Sequence, residues 1–416
     1  MTNRIKIILI LLVFATLTIN PGGYETEYGS GGGMYQDRVD SFSEYSVRNT
    51  VSRNILSEYS SIPIYPKDQL PLDYAYRPEL DHEYNNYYVN FQIQSQVITF
   101  IAKASGLSTQ NQLDKLFTVL RYLNSLFLSS FLAFLLMSLS EILKINSTWK
   151  TTAIVISSSG LVGFSYFNAN LYFLSFIPLL VCIIPLYFRN FSKQILALFF
   201  LSLVNFLHGY EFVTVYMISA VSIFWFVRII QNQSFHLRDL LLLSATLITS
   251  FIASLGILVA SHVLDRKTDL TFSDSTSNII DRILARNFSE NGVPARLSRD
   301  FFAEMYRRWT LDGYSFFSLF TFSQLGIACL LIVLIYIRTY KLKKFSSLES
   351  ALTLFSFGSY FSWYIFGYQH IMWHYMYDWY IFAITIGLGT FLIVMVTLGD
   401  LSKKSGEAKS NTSMNS

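Results

Sequence analysis

Apolar runs long enough to cross a bilayer, or nearly so, recur along almost the whole chain. Short polar turns and two long hydrophilic stretches separate them. A span needs about 20 largely apolar residues. Runs of that kind predict helices at about Ile7–Ile19, Leu116–Leu143, Thr151–Phe167, Leu171–Phe188, Gln194–Leu207, Phe212–Ile230, Leu240–Leu264, Phe316–Ile337, Leu348–Phe366 and Tyr375–Leu398. The expected class is an all-α polytopic integral membrane protein of about ten transmembrane helices. The pattern divides the chain into a first span or signal anchor (1–20), a polar, tyrosine-rich outer loop (21–113) and a transmembrane bundle (114–264). An arginine-rich outer loop (265–313), a second bundle (314–400) and a polar tail expected to be disordered (401–416) follow. After the first run comes Asn20-Pro21-Gly22-Gly23 rather than a small-x-small cleavage site, which favours an uncleaved span over a signal peptide.

Basic residues orient these spans. With Arg4 and Lys6 inside, the connections expected inside carry Lys144 and Lys150, Arg189 and Lys193, Arg228 and Arg238, then Arg338, Lys341, Lys343 and Lys344. The tail adds Lys403, Lys404 and Lys409, and the short turns expected outside at 168–170, 208–210 and 367–374 carry no Lys or Arg. This is the positive-inside pattern, with both termini cytoplasmic in a plasma membrane. Composition agrees, because 52% hydrophobic against 14% charged residues cannot be reconciled with soluble domains. A net charge of +4 gives no reason to expect nucleic acid as a partner. Two cysteines, Cys182 and Cys329, each inside an apolar run, support neither a disulfide framework nor a cysteine metal site.

The orientation gathers the unusual polar residues on the outer face. Asn168 and Asn170, His208 and Glu211, and the stretch Ser362–Trp379 with His370, His374 and Asp378 all fall there. In a helix those last three recur every four residues and share one face. They would suit a divalent metal only with further ligands, so no cofactor is expected. The same stretch also reads as an aromatic belt at the membrane boundary. Two spans, Thr151–Phe167 and Gln194–Leu207, are short enough to sink their turns into a recess, where Glu211 and Asp378 become candidate site residues. The first loop offers Asp37 and Asp40 as possible general bases, and its end, Tyr87–Ala104, predicts an amphipathic membrane-surface helix. The second loop carries Arg266, Arg282, Arg286, Arg296, Arg299, Arg307 and Arg308. Within Ser277–Phe288, Arg282 and Arg286 stand one helical turn apart beside an apolar strip, a pattern suited to lipid phosphates.

A first span, a long outer loop with an early acid, a membrane-surface helix and many spans with short outer turns resemble the GT-C fold of polytopic glycosyltransferases. Asp40-Ser-Phe-Ser-Glu-Tyr45 followed by Ile64-Tyr65-Pro66 is similar to the Asp-Phe-x-x-Tyr and later Pro-Tyr pattern of some bacterial members, with one extra residue after the acid. Phe167–Tyr172, His208–Thr214 and Ser362–Trp379 also resemble segments of bacterial membrane proteins of that type. The resemblance implies transfer of a sugar from a polyprenyl-phosphate donor to a hydroxyl on a glycan, lipid or protein acceptor at the outer face. Asp40 or Asp37 would take the acceptor proton. Asn170, His208, Glu211, Arg282, Arg286, His370, His374 and Asp378 would contact substrate. A polysaccharide polymerase or ligase, a transporter or flippase of lipid-linked glycans, and an accessory subunit without chemistry of its own are the alternatives.

Overall fold

This computed structural model describes residues 41–66, 84–86, 91–143, 181, 183–209, 212–265, 269–285, 299–310, 313–316, 320–367 and 381–400. The described chain is mostly helical. In order come α1 (Ser41–Leu56), α2 (Ile93–Ala104), α3 (Gln110–Ile142), α4 (Ile184–Tyr187), α5 (Phe191–His208), α6 (Val213–Ile230) and α7 (Leu237–Leu264). Then follow α8 (Phe272–Ala285), α9 (Arg299–Thr310), α10 (Gln324–Leu342), α11 (347–366) and α12 (381–400). Two short antiparallel ribbons qualify the all-α expectation: β1 (Ile64–Pro66) with β2 (Tyr84–Asn86), and β3 (Gly313–Phe316) with β4 (Phe320–Ser323).

Among the described residues, α5, α6, α7 and α10 are long and apolar enough to cross a membrane. Local chemistry sets their ends. The Asn190 side chain caps α5 by accepting from the amides of Ser192 and Lys193, so the helix begins three residues before the expected Gln194. A reciprocal pair between His236 and Asp239 starts α7 at Leu237 rather than Leu240.

One expected span is displaced. The run predicted to cross from Phe316 enters its helix only at Gln324, because Gly313–Ser323 folds back as the β3–β4 ribbon, with Gly313 opposite Ser323 and Ser315 opposite Thr321. Aromatic and hydroxyl residues alternate there with the period of a strand. Ser323 then caps α10 through the amide of Gly326 at 3.0 Å. Helices occupy both stretches where membrane-surface helices are expected: α2 begins at Ile93 within Tyr87–Ala104, and α8 overlaps Ser277–Phe288. The spans expected at Ile7–Ile19 and Thr151–Phe167, and most of Leu171–Phe188, lie outside the described residues.

Contacts between helices fix which ends lie together. Ser202 on α5 meets the hydroxyl of Tyr216 on α6 at 3.0 Å, and Arg228 at the far end of α6 covers the Phe191 ring. Those two helices are therefore antiparallel. Phe212 at the start of α6 packs on Trp363 near the end of α11, so α11 also runs against α6. At the basic end, Arg228 pairs with Asp239 at 3.1 Å, and Arg338 reaches Glu349 at 2.9 Å and Asp400 at 2.5 Å. These pairs tie α6 to α7 and α10 to both α11 and α12. Each of α11 and α12 contains one π turn, Leu354–Gly358 and Ala383–Gly387, and the two turns touch. The approach is close enough that a Cβ on Gly389 would stand 1.8 Å from the Ser356 hydroxyl, so a larger residue there would require Ser356 to move.

Candidate functional site at one end of the bundle

The long polar segments gather at the opposite end. Over residues 46–56, where its side chains are described, α1 is buried or half-buried throughout although its sequence is polar. Val47 and Val51 enter the apolar core, while Ser46, Asn49, Thr50, Ser52 and Asn54 are also buried. A helix so polar is not stable against lipid, so protein must cover it. Arg48 fastens α1 to the first turn of α3 through Asp114 at 3.0 Å, its guanidinium lying over the Phe117 ring. Arg53 donates to the carbonyls of Ser60 at 3.2 Å and Ile62 at 2.7 Å, folding the following loop back. Gln92 donates its side-chain amide to Ser46 at 2.7 Å, which joins the start of α2 to α1.

The loop after α1 reaches the second polar segment through one carboxylate. Asp265, one residue beyond α7, accepts from the Ser60 hydroxyl at 2.7 Å, the Ser61 amide at 2.8 Å and the Ser61 hydroxyl at 2.9 Å. One turn back, the imidazole of His262 is fully buried with its Nδ1 2.7 Å from the hydroxyl of Ser275 on α8. The end of α7 therefore holds the first polar segment on one side and α8 on the other. A Thr271–Asp274 capping pair starts α8, and these hydrogen bonds hold the Asp274 carboxyl below its usual range.

A second group sits where α9 meets α10 and α11. The indole of Trp309 donates to the Tyr360 hydroxyl at 2.9 Å. That hydroxyl in turn lies 3.1 Å from the Tyr364 hydroxyl and 3.3 Å from Gln324 Oε1. The Trp309 ring stacks on Phe361 and meets Phe382 edge-on. Beside it, Arg308 is only 1% exposed. A buried guanidinium is expensive unless it meets acceptors or anions. Arg308 thus has the environment of an anion-binding or network arginine, whereas the neighbouring Arg307 is half-buried.

Of the residues expected to form a site, His208 is the last residue of α5 and is buried at this same end. Arg282 belongs to the last turns of α8, where its backbone is described but its side chain is not. Asp37, Asp40, Asn170, Glu211, Arg286, His370, His374 and Asp378 lie outside the described residues. Among the described residues, no group of three or more His, Cys, Asp or Glu is placed to hold a metal ion. Sequence reasoning missed Asp265, His262, Trp309 and Tyr360. A histidine and an acid three residues apart at the end of an apolar run were the available signal for the first two. Comparison of the chain with protein-family models, curated proteins and solved structures gives no match.

Proposed function

We propose that this chain is a membrane glycosyltransferase, moving a sugar from a polyprenyl-phosphate donor to an acceptor hydroxyl at the outer face of the membrane in cell-surface glycan assembly. On this reading the ten spans, the cytoplasmic termini and the GT-C-like layout follow the expected topology, and the capped end of the bundle faces outward. The observation that carries the reading is the bonding of Asp265 to Ser60 and Ser61. The mechanism needs a base from the first polar segment and phosphate-binding arginines from the second at one place, and this clamp supports their meeting.

In the reaction the acceptor oxygen attacks the anomeric carbon, the bond from that carbon to the phosphate oxygen breaks, and the polyprenyl phosphate leaves. Asp40 or Asp37 takes the acceptor proton. Arginines of the second segment (Arg282, Arg286 and the buried Arg308) stabilise charge growing on the phosphate, the kind of preorganised electrostatic term that is usually largest. Tyr360 and Trp309 hold α9 against the bundle and so position Arg308.

The test uses the purified protein in proteoliposomes with a panel of polyprenyl-phosphate sugars and glycan acceptors. Replacing Arg282 and Arg286 together with Gln should weaken donor binding well beyond replacing Lys343 and Lys344, and Arg308→Lys should lower turnover by at least tenfold, or 1.4 kcal/mol. Equal losses from the two double variants, or full activity of Arg308→Lys, would contradict the assignment of these arginines.

A further inference from the structure

The outward face of α10 leads into a cluster of uncommitted positive charge. Gln324, Ala328, Leu331 and Ile335 are buried on one side of this helix. Cys329, Val333, Tyr336 and Tyr340, spaced four, three and four residues apart, share the opposite side and are exposed. α10 is long and apolar enough to cross a membrane, so its exposed side meets acyl chains. Toward the basic end that side becomes amphipathic. The rings of Tyr336 and Tyr340 stack with centroids 6.3 Å apart, and Tyr340 is 74% exposed. Tyrosines of this kind suit the headgroup level, with the ring in the apolar layer and the hydroxyl in water.

The helix runs out directly beyond them in Lys341-Leu342-Lys343-Lys344-Phe345, all five exposed. Arg338 is spent inward on Glu349 and Asp400. Lys341, Lys343 and Lys344 have no ion pair among the described residues. Lys343 closes the helix with a left-handed backbone, φ 52°, at a position where glycine or asparagine is favoured. Acids described at this end do not offset the charge. Asp239 is paired with Arg228, Glu349 and Asp400 with Arg338, and the exposed Glu141 belongs to α3. Arg189, Lys193 and Arg238, on the turns before α5 and α7 or in their first residues, are exposed at the same end and add to the excess.

Along one face of one helix the chemistry therefore passes from apolar, through aromatic with a polar tip, to cationic. A free phosphate would use only the last of these, and an acidic peptide in water would leave the apolar part uncovered. A lipid with a negatively charged headgroup uses all three. We infer that the α10–α11 turn binds an anionic phospholipid of the leaflet at the basic end, its phosphate held by Lys341, Lys343 and Lys344 and its chains lying along Tyr340, Tyr336 and Val333. Each lysine near an anionic surface strengthens binding roughly fivefold. The inference does not depend on the transferase reading, since the site lies at the opposite end from the polar segments and no turnover enters it.

The experiment is native mass spectrometry of the full-length protein in mild detergent, titrated with phosphatidylglycerol or with phosphatidylcholine of the same chain length. Wild type should bind the first phosphatidylglycerol at least tenfold more tightly than phosphatidylcholine. Replacing Lys341, Lys343 and Lys344 together with Gln should reduce that preference to about threefold or less, and replacing all three with Arg should keep it. Replacing Arg189, Lys193 and Arg238 with Gln removes the same charge from the same end and should leave most of the preference. Glycerol 3-phosphate and poly-glutamate, at the lipid's concentration, should not displace it. No preference in wild type, or its loss in the arginine variant, would overturn the inference. Equal losses in the two glutamine variants would reduce the site to diffuse attraction and overturn it as well. Displacement by glycerol 3-phosphate or by poly-glutamate would replace the lipid with a soluble phosphate or an acidic protein segment, and would equally overturn it.

Discussion

Asp265 accepts a hydrogen bond from the Ser60 hydroxyl at 2.7 Å across 205 residues of sequence. The loop after α1 is thereby held to the last turn of α7, and two polar segments that the spans separate become one surface. A charge-assisted bond of this kind contributes about 1.5–3 kcal/mol. Asp265→Asn keeps the shape but loses the charge and should lower the melting temperature, with Ser60→Ala milder. In a double-mutant cycle read by thermal unfolding, the two should couple by about 1 kcal/mol. Additive effects would mean the contact holds nothing.

The basic end predicts an asymmetry. Glu349 is fully buried against Arg338, whereas Asp400, the other partner, is 45% exposed. Arg338→Gln leaves the Glu349 charge uncompensated and should cost about 3–5 kcal/mol, seen as lost folded protein or a much lower melting temperature. Asp400→Asn removes a solvent-screened partner and should cost no more than about 1 kcal/mol.

Acid should loosen α8 from its first turn. Hydrogen bonds from Thr271, chiefly from its hydroxyl, hold the Asp274 carboxyl below its ordinary 3.8, with the residue fully exposed. The folded value being depressed, the stabilisation is complete above the ordinary value. It disappears as the pH falls from there through the lower folded value. Protection of the α8 amides, taken against the intrinsic exchange rate at each pH, should therefore fall below about pH 4. Asp274→Asn should exchange faster at neutral pH and lose most of that acid dependence.

The spans α5, α6, α7 and α10 were legible as continuous apolar runs, but the caps Asn190 and Ser323 were not, so the starts at Phe191 and Gln324 replace the expected Gln194 and Phe316. The β3–β4 ribbon was not legible either, since Tyr314-Ser315-Phe316 and Phe320-Thr321-Phe322 are apolar enough to extend a predicted span. α1 escaped for the opposite reason: its buried face carries Ser46, Asn49 and Ser52, so hydropathy reads loop. The two π turns touch each other, and such a contact between helices is not carried by either sequence segment alone. Of the candidate site, His208 and the arginine-rich segment were visible from orientation and charge. Asp265 was not singled out, because an acid ending a span looks like any solvated boundary residue until Ser60 and Ser61 are brought to it.

Topology offers a direct check on the outward reading. An alkaline-phosphatase fusion after Gly313, in the ribbon at the capped end, should be active. One after Lys344, beside the Arg338 cluster, should be silent. Activity at the second position would place the polar segments in the cytoplasm and remove the lipid-linked donor from reach.

The most direct measurement is the turnover of Asp40→Asn with a defined polyprenyl-phosphate sugar and acceptor, alongside donor affinity in the same preparation. Asp40 directly precedes α1 in the sequence. General-base catalysis typically contributes about 10²–10⁴-fold, and turnover should fall by that much while donor affinity changes by less than about tenfold. Asp37→Asn should be milder. A silent Asp40→Asn beside a crippled Asp37→Asn would move the base three residues along the same segment. Full turnover in both variants, in an assay with proven wild-type activity, would contradict the account.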